Sequence, residues 1–236
     1  MYAGMRVYSV CGDENQPAHT LRAYAHALLS PVVDGIIAPV HRTADGRLVV
    51  IGDPMLGRTT NGLSYPVLER TLRQVRKLRA GPRDVPCKVP RIEELFDLVT
   101  AFGERRGAPV SLDIMLCGAG TGVIVGECLA SLPQPKTAQV TVSTAYAVEM
   151  MDCRERFVHG SYIGILVSQD GGRWSDGESL SAIRIPVSRA DPRFVASQHE
   201  LGRKVIVSNV NGRYDAEYCA GIFADAISTR HLRALR

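Results

Sequence analysis

The chain has 236 residues, 45% of them hydrophobic and 22% charged, which suits a soluble domain with a sizeable core. Its net charge of +4 comes from scattered basic residues with no aromatic interleaving, which argues against a nucleic-acid partner. No window reaches about 18 uninterrupted apolar residues, so no membrane span is expected.

The N-terminal MYAGMRVYSV lacks the long apolar run of a secretory leader. The cysteines, Cys11, Cys87, Cys117, Cys128, Cys153 and Cys219, form no C-x-x-C pair. That pattern suits reduced thiols in a cytoplasmic protein better than a disulfide framework or a zinc site.

Short β-branched runs alternate with helical patterns along the chain, the signature of parallel βα units. Strands are predicted at Arg6–Cys11, Gly35–Val40, Leu48–Ile51, Val110–Leu116, Gln139–Ser143, Tyr162–Val167, Ala182–Val187, Lys204–Ser208 and Ala224–Ile227. Helices are predicted at Leu21–Leu29 with Thr20 as N-cap, Leu68–Leu78, Ile92–Phe102, Val123–Leu132, Ala147–Phe157, Pro192–Leu201 and Tyr214–Ala220. Asp191-Pro192 is a cap followed by an N1 proline, and Gly202 is placed to end that helix. Leu48–Ile51 is one strand more than an eight-stranded barrel needs, and it reads as a hairpin-like excursion of the second strand. Arg79–Pro90 and Ser168–Gly177 are loops of the kind that cover a site. No linker divides the chain, so residues 1–236 are expected to form one domain.

The run Asp45–Gly62, DGRLVVIGDPMLGRTTNG, resembles a segment of the glycerophosphodiester phosphodiesterases that reads DG-x-L-V-V-x-HDP-x-L-x-RTTNG. Asp34–His41 is similar to that family's DG-I-E-x-D-V-H strand. Weaker likenesses follow in order at Val89–Leu95, Asp191–Gly202, Val207–Asn211 and Ala224–Thr229. The resemblance implies a single (β/α)8 TIM barrel, a fold of about 250 residues with its chemistry at the C-terminal ends of the strands.

The same resemblance implies a site from which most of the family's chemistry is missing. A catalytic His falls on Gly52, two metal-binding carboxylates fall on Ile37 and Pro39, and a Trp falls on Ser208. The AHRG tetrad becomes Ser9-Val10-Cys11-Gly12, PENT becomes Pro17-Ala18-His19-Thr20, and E-x-K becomes Asp113-Ile114-Met115. Magnesium and calcium need several oxygen ligands. No metal and no cofactor are therefore expected, and the cavity is expected to be apolar.

Asp113 is the leading candidate for proton transfer, or else a buried carboxylate hydrogen-bonded to backbone. Asp53 either assists it or braces its loop. His41, on the parity of Ile37 and Pro39 and just past the strand end, either reaches the pocket mouth or is an exposed loop residue. Val10, Cys11, His19, Ile37, Met115, Trp174 and Ser208 are the substrate-binding candidates. Cys11 and Cys117 read as apolar filler or as thiol nucleophiles, and Trp174 as a lid aromatic or as peripheral packing. Gly118–Gly122, GAGTG, reads as a tight βα turn or as a phosphate cradle.

The function expected from these losses is a metal-independent cyclase, isomerase or lyase acting on a largely apolar small molecule. The alternatives are a non-catalytic ligand-binding barrel and a residual glycerophosphodiester phosphodiesterase.

Overall fold

Strand residues in this chain alternate between two buried environments, and that alternation closes the sheet. In the computed structural model, which describes residues 4–81, 86–132, 138–158, 161–165 and 180–235, the chain begins β1 (Arg6–Ser9), α1 (Leu21–Leu28), β2 (Gly35–Arg42) and β3 (Leu48–Val50). It continues through short helices α2 (Leu56–Thr59) and α3 (Leu72–Val75), the hairpin β4 (Arg79–Ala80) and β5 (Cys87–Lys88), and the long α4 (Ile92–Arg106). Regular βα alternation follows: β6 (Val110–Leu116), α5 (Thr121–Ser131), β7 (Ala138–Thr144), α6 (Ala147–Arg156) and β8 (Ser161–Ile165). The last elements are β9 (Ala182–Pro186), α7 (Pro192–Glu200), β10 (Lys204–Ser208), α8 (Arg213–Gly221) and β11 (Ala226–Thr229).

Among the described residues, β1, β2 and β6 through β11 pair in parallel, and β1 bonds both β11 and β2, so the sheet is a closed eight-stranded barrel. Residues of one parity, such as Val7, Ile36, Leu112, Val142, Ile183, Val205 and Ile227, join the helices in the main apolar core. The other parity points inward, where Tyr8, Ile37, Ile163, Ala182, Ile206 and Ala226 fill the barrel, with Val10 and Met115 packed against them. β3 is the predicted excursion: it runs antiparallel to β2, with Val49 opposite His41. No described helix is long and apolar enough to cross a membrane.

Local signals account for most element ends. Thr20 caps α1 by accepting from Ala23 N at 3.2 Å. Asp191 accepts from Arg193 N at 2.7 Å ahead of the N1 proline of α7.

The expected Leu68–Leu78 helix is corrected. It breaks at Arg70, whose backbone is extended, and restarts as α3 from a reciprocal Thr71–Gln74 capping box. Apolar spacing ran through that break because the residues on either side still face the same core. The Arg79–Pro90 loop carries the β4–β5 hairpin. β1 stops at Ser9 rather than Cys11, and the final strand begins at Ala226 rather than Ala224.

Candidate functional site

Inward parity places Asp113 of β6 inside the barrel level with Ile37 of β2. A carboxylate among apolar side chains needs a partner, and Arg184 of β9 supplies it. Arg184 Nη2 bonds Asp113 Oδ2, and Arg184 Nη1 donates to Ser143 Oγ at 3.4 Å. The two residues are 1% and 4% exposed, so the pair is dry. Burial pulls the Arg184 guanidinium down to about 10, which leaves it charged at neutral pH. Asp113 Oδ1 and Arg184 Nε find no partner among the described residues. Asp113 is thus already engaged with a cation and is not the free acid–base group expected from the sequence. Arg184 was missed, although a lone arginine in the apolar strand AIRIP was a readable signal.

Above this layer, at the C-terminal mouth, stand Val10, Cys11, Met115 and Cys117, all half-buried. Cys117 follows β6, and burial pushes its thiol up to about 11. Ser208 ends β10 on the parity of Ile206, and its hydroxyl donates to Ile185 O at 3.0 Å. His41 lies within β2 rather than past its end, and it is buried, not an exposed loop residue. Burial pulls its imidazole down to about 4 against the opposing Asp53 charge, and its Nε2 has no partner among the described residues.

Asp53 accepts from Met55 N at 2.9 Å and pairs with Arg58, so both oxygens brace the RTTNG loop. Trp174 and the Ser168–Gly177 loop lie outside the described residues.

His19 has the most constrained placement. Its backbone is left-handed at φ +60°, a conformation that costs a non-glycine residue about 1–2 kcal/mol. The ring projects over Gly52, where a Cβ would collide with its Nε2. Nε2 lies 3.6 Å from Cys11 Sγ, and Nδ1 lies 3.1 Å from the Tyr24 hydroxyl. Burial and the Arg230 charge pull this imidazole down to about 4. Burial pushes the Cys11 thiol up, opposed by Arg230.

The GAGTG turn is not a vacant cradle. Glu149 of α6 accepts from Gly120 N at 2.7 Å and from Gly122 N at 2.6 Å, so a carboxylate of the protein fills the anion site at the start of α5.

A divalent cation does not fit this donor set. Ile37 and Pro39 offer no side-chain oxygen, Asp113 is committed to Arg184, and no cluster of three or more His, Cys, Asp or Glu suited to a metal occurs among the described residues.

Residues 12–115 match the model of the Glycerophosphoryl diester phosphodiesterase family. A glycerophosphodiester phosphodiesterase of Caldanaerobacter subterraneus subsp. tengcongensis is 38% identical over 93 residues, covering 37% of this chain and 37% of its own length. Its counterpart from Bacillus subtilis is 37% identical over 93 residues, covering 34% of this chain and 31% of its own. The chain therefore spans about a third of the length of these curated relatives in the matches (37% and 31%).

The barrel also superposes on an Oleispira antarctica phosphodiesterase solved with the product sn-glycerol-3-phosphate. The TM-score is 0.83 at 17% identity, over 98% of this chain and 94% of that one, a likeness of fold. The expected cyclase, isomerase or lyase is corrected by these findings: the family model and the curated relatives are all named for phosphodiester hydrolysis. The matched segment, from the β1 loop into β6, is similar to the Glycerophosphoryl diester phosphodiesterase family, and the whole barrel shares the fold of the Oleispira phosphodiesterase.

Proposed function

We propose that the protein is a phosphodiester hydrolase acting on glycerophosphodiester-type substrates at the C-terminal mouth of the barrel. One observation carries this reading: the segment that matches the family, residues 12–115, builds the loop after β1, strands β2 and β3 and nearly all of β6 on that side of the mouth, including the RTTNG loop braced by Asp53. The phosphate meets cationic side chains there rather than a divalent ion. Arg230 follows β11 at the mouth, and its charge reaches both Cys11 and His19. An arginine suits a phosphoryl group because its planar fork donates to two oxygens at once. Imidazole and thiol supply the groups able to hold and move a proton beside it.

Incubation with glycerophosphocholine and glycerophosphoethanolamine, following release of glycerol phosphate against a heat-denatured control, tests the proposal. Release above the control supports it, and no release from either diester counts against it.

A second reading, a barrel that binds such ligands without turnover, is favoured by the Asp113–Arg184 pair, which engages the one carboxylate left at the expected metal positions. Saturable binding of glycerophosphocholine without product would establish it.

A further inference from the structure

We propose that Cys11 and His19 form a nucleophile–base pair, oriented by Tyr24, in which the thiol takes the phosphoryl group of the diester through sulfur. This rests on the phosphodiesterase reading above and names the residues that would carry it.

The hydrogen-bond pattern assigns the protons. Tyr24 has one hydroxyl proton and gives it to the Ile37 carbonyl at 3.2 Å. With that proton on the carbonyl, the Tyr24 oxygen accepts from His19 Nδ1 at 3.1 Å, and the pair proposed here takes the imidazole in the Nδ1–H tautomer. Nε2 is left with its lone pair facing Cys11 Sγ at 3.6 Å, ready to receive the thiol proton. A nucleophile, a base and a third group that holds the base in one tautomer is the arrangement covalent catalysis needs.

Two further features of the chain serve the placement of that ring. His19 adopts the left-handed backbone that side chains avoid, and Gly52 lacks the Cβ that would displace Nε2. Tyr24 is fully buried, so the orienting group is rigid. Arg230, whose charge acts on both the thiol and the imidazole, marks the site for an anionic electrophile. The resting pair is a neutral thiol and a neutral imidazole, so the proton crosses only as sulfur attacks.

In the first step the Cys11 S–H proton passes to His19 Nε2 while sulfur bonds phosphorus. One P–O bond breaks, and the departing alkoxide takes the proton from His19. In the second step water attacks phosphorus, the S–P bond breaks, the thiol is re-protonated and a phosphate monoester leaves. No electrons are gained or lost.

The test uses the full chain and bis(4-nitrophenyl) phosphate. Expected are a burst of 4-nitrophenolate equimolar with protein and a nitrophenyl-phosphoryl adduct on the Cys11 peptide by mass spectrometry. Cys11→Ser should abolish both, and His19→Gln should slow them by about a hundredfold. Steady release that Cys11→Ser retains overturns the pair but leaves the hydrolase standing.

Where the wild type releases nothing, the hydrolase reading fails, and the pair is judged by alkylation of Cys11 with iodoacetamide. Folded His19→Gln and Gly52→Ala, checked by circular dichroism, should then react about tenfold differently from wild type. Equal rates overturn the pair.

Discussion

Asp113→Asn keeps the shape of the side chain but strips the counterion from a guanidinium that is 4% exposed. Arg184 stays charged at neutral pH, and the interior around it is built from Tyr8, Ile37, Ile163, Ala182, Ile206 and Ala226. Two charges at roughly 4 Å and an effective dielectric of about 20 interact by about 4 kcal/mol. Breaking a buried pair by removing one partner costs about 3–5 kcal/mol, because the survivor stays desolvated. A typical domain has about 5–15 kcal/mol of stability in all, so the variant should be severely weakened. In urea, with an m-value of roughly 3 kcal/mol/M, the midpoint should fall by more than about 1 M. The double variant Asp113→Leu/Arg184→Met should recover most of that loss, since an apolar replacement of a buried pair is often neutral or stabilising. A loss below about 1 kcal/mol in Asp113→Asn, or a double variant no better than the single, would refute this account of the barrel interior.

Three further outcomes follow from the structure. His19 and His41 have folded pKa values near 4 against about 6.5 unfolded, so their contribution to stability is complete above pH ~6.5 and is lost as pH falls toward 4. Denaturation at stepped pH should show that decline, and His41→Gln should flatten part of it; an unchanged slope would contradict the burial assigned to His41. Glu149→Ala leaves Gly120 N and Gly122 N without their acceptor and should destabilise by about 2–4 kcal/mol, read by thermal or urea unfolding; a neutral result would show that the turn does not depend on the carboxylate. Gly52→Ala places a methyl against His19 Nε2, and overpacking of this kind costs about 1–3 kcal/mol, with a shifted His19 imidazole resonance as the direct readout.

The barrel was legible because its evidence is local. Alternate strand residues such as Ile37 and Met115 carry inward parity in their own order, and Asp191-Pro192 and Thr20 carry their own caps. The site was less legible because its evidence is not local. Asp113 and Arg184 stand 71 positions apart, and nothing in either strand names the other. Glu149 meets the GAGTG turn from the following helix, so the turn alone reads as open. His19 looked like the start of a helix, and only its left-handed backbone carries the ring back over Gly52. Asp53 was weighed as loop brace or reactive group, and geometry shows both of its oxygens bound within the loop. The metal ligands could be followed from resemblance one by one, and Ile37 and Pro39 do line the inward face of β2. The missing activity inferred from them was too strong an inference, since the relatives are named for phosphodiester hydrolysis.

Turnover of glycerophosphocholine by the intact chain, in excess EDTA and separately in magnesium or calcium, tests the central claim most directly. The account predicts glycerol phosphate release at the same rate in both, because among the described residues no carboxylate set at the barrel mouth is suited to the ion. Release that stops in EDTA and returns with either cation would contradict it.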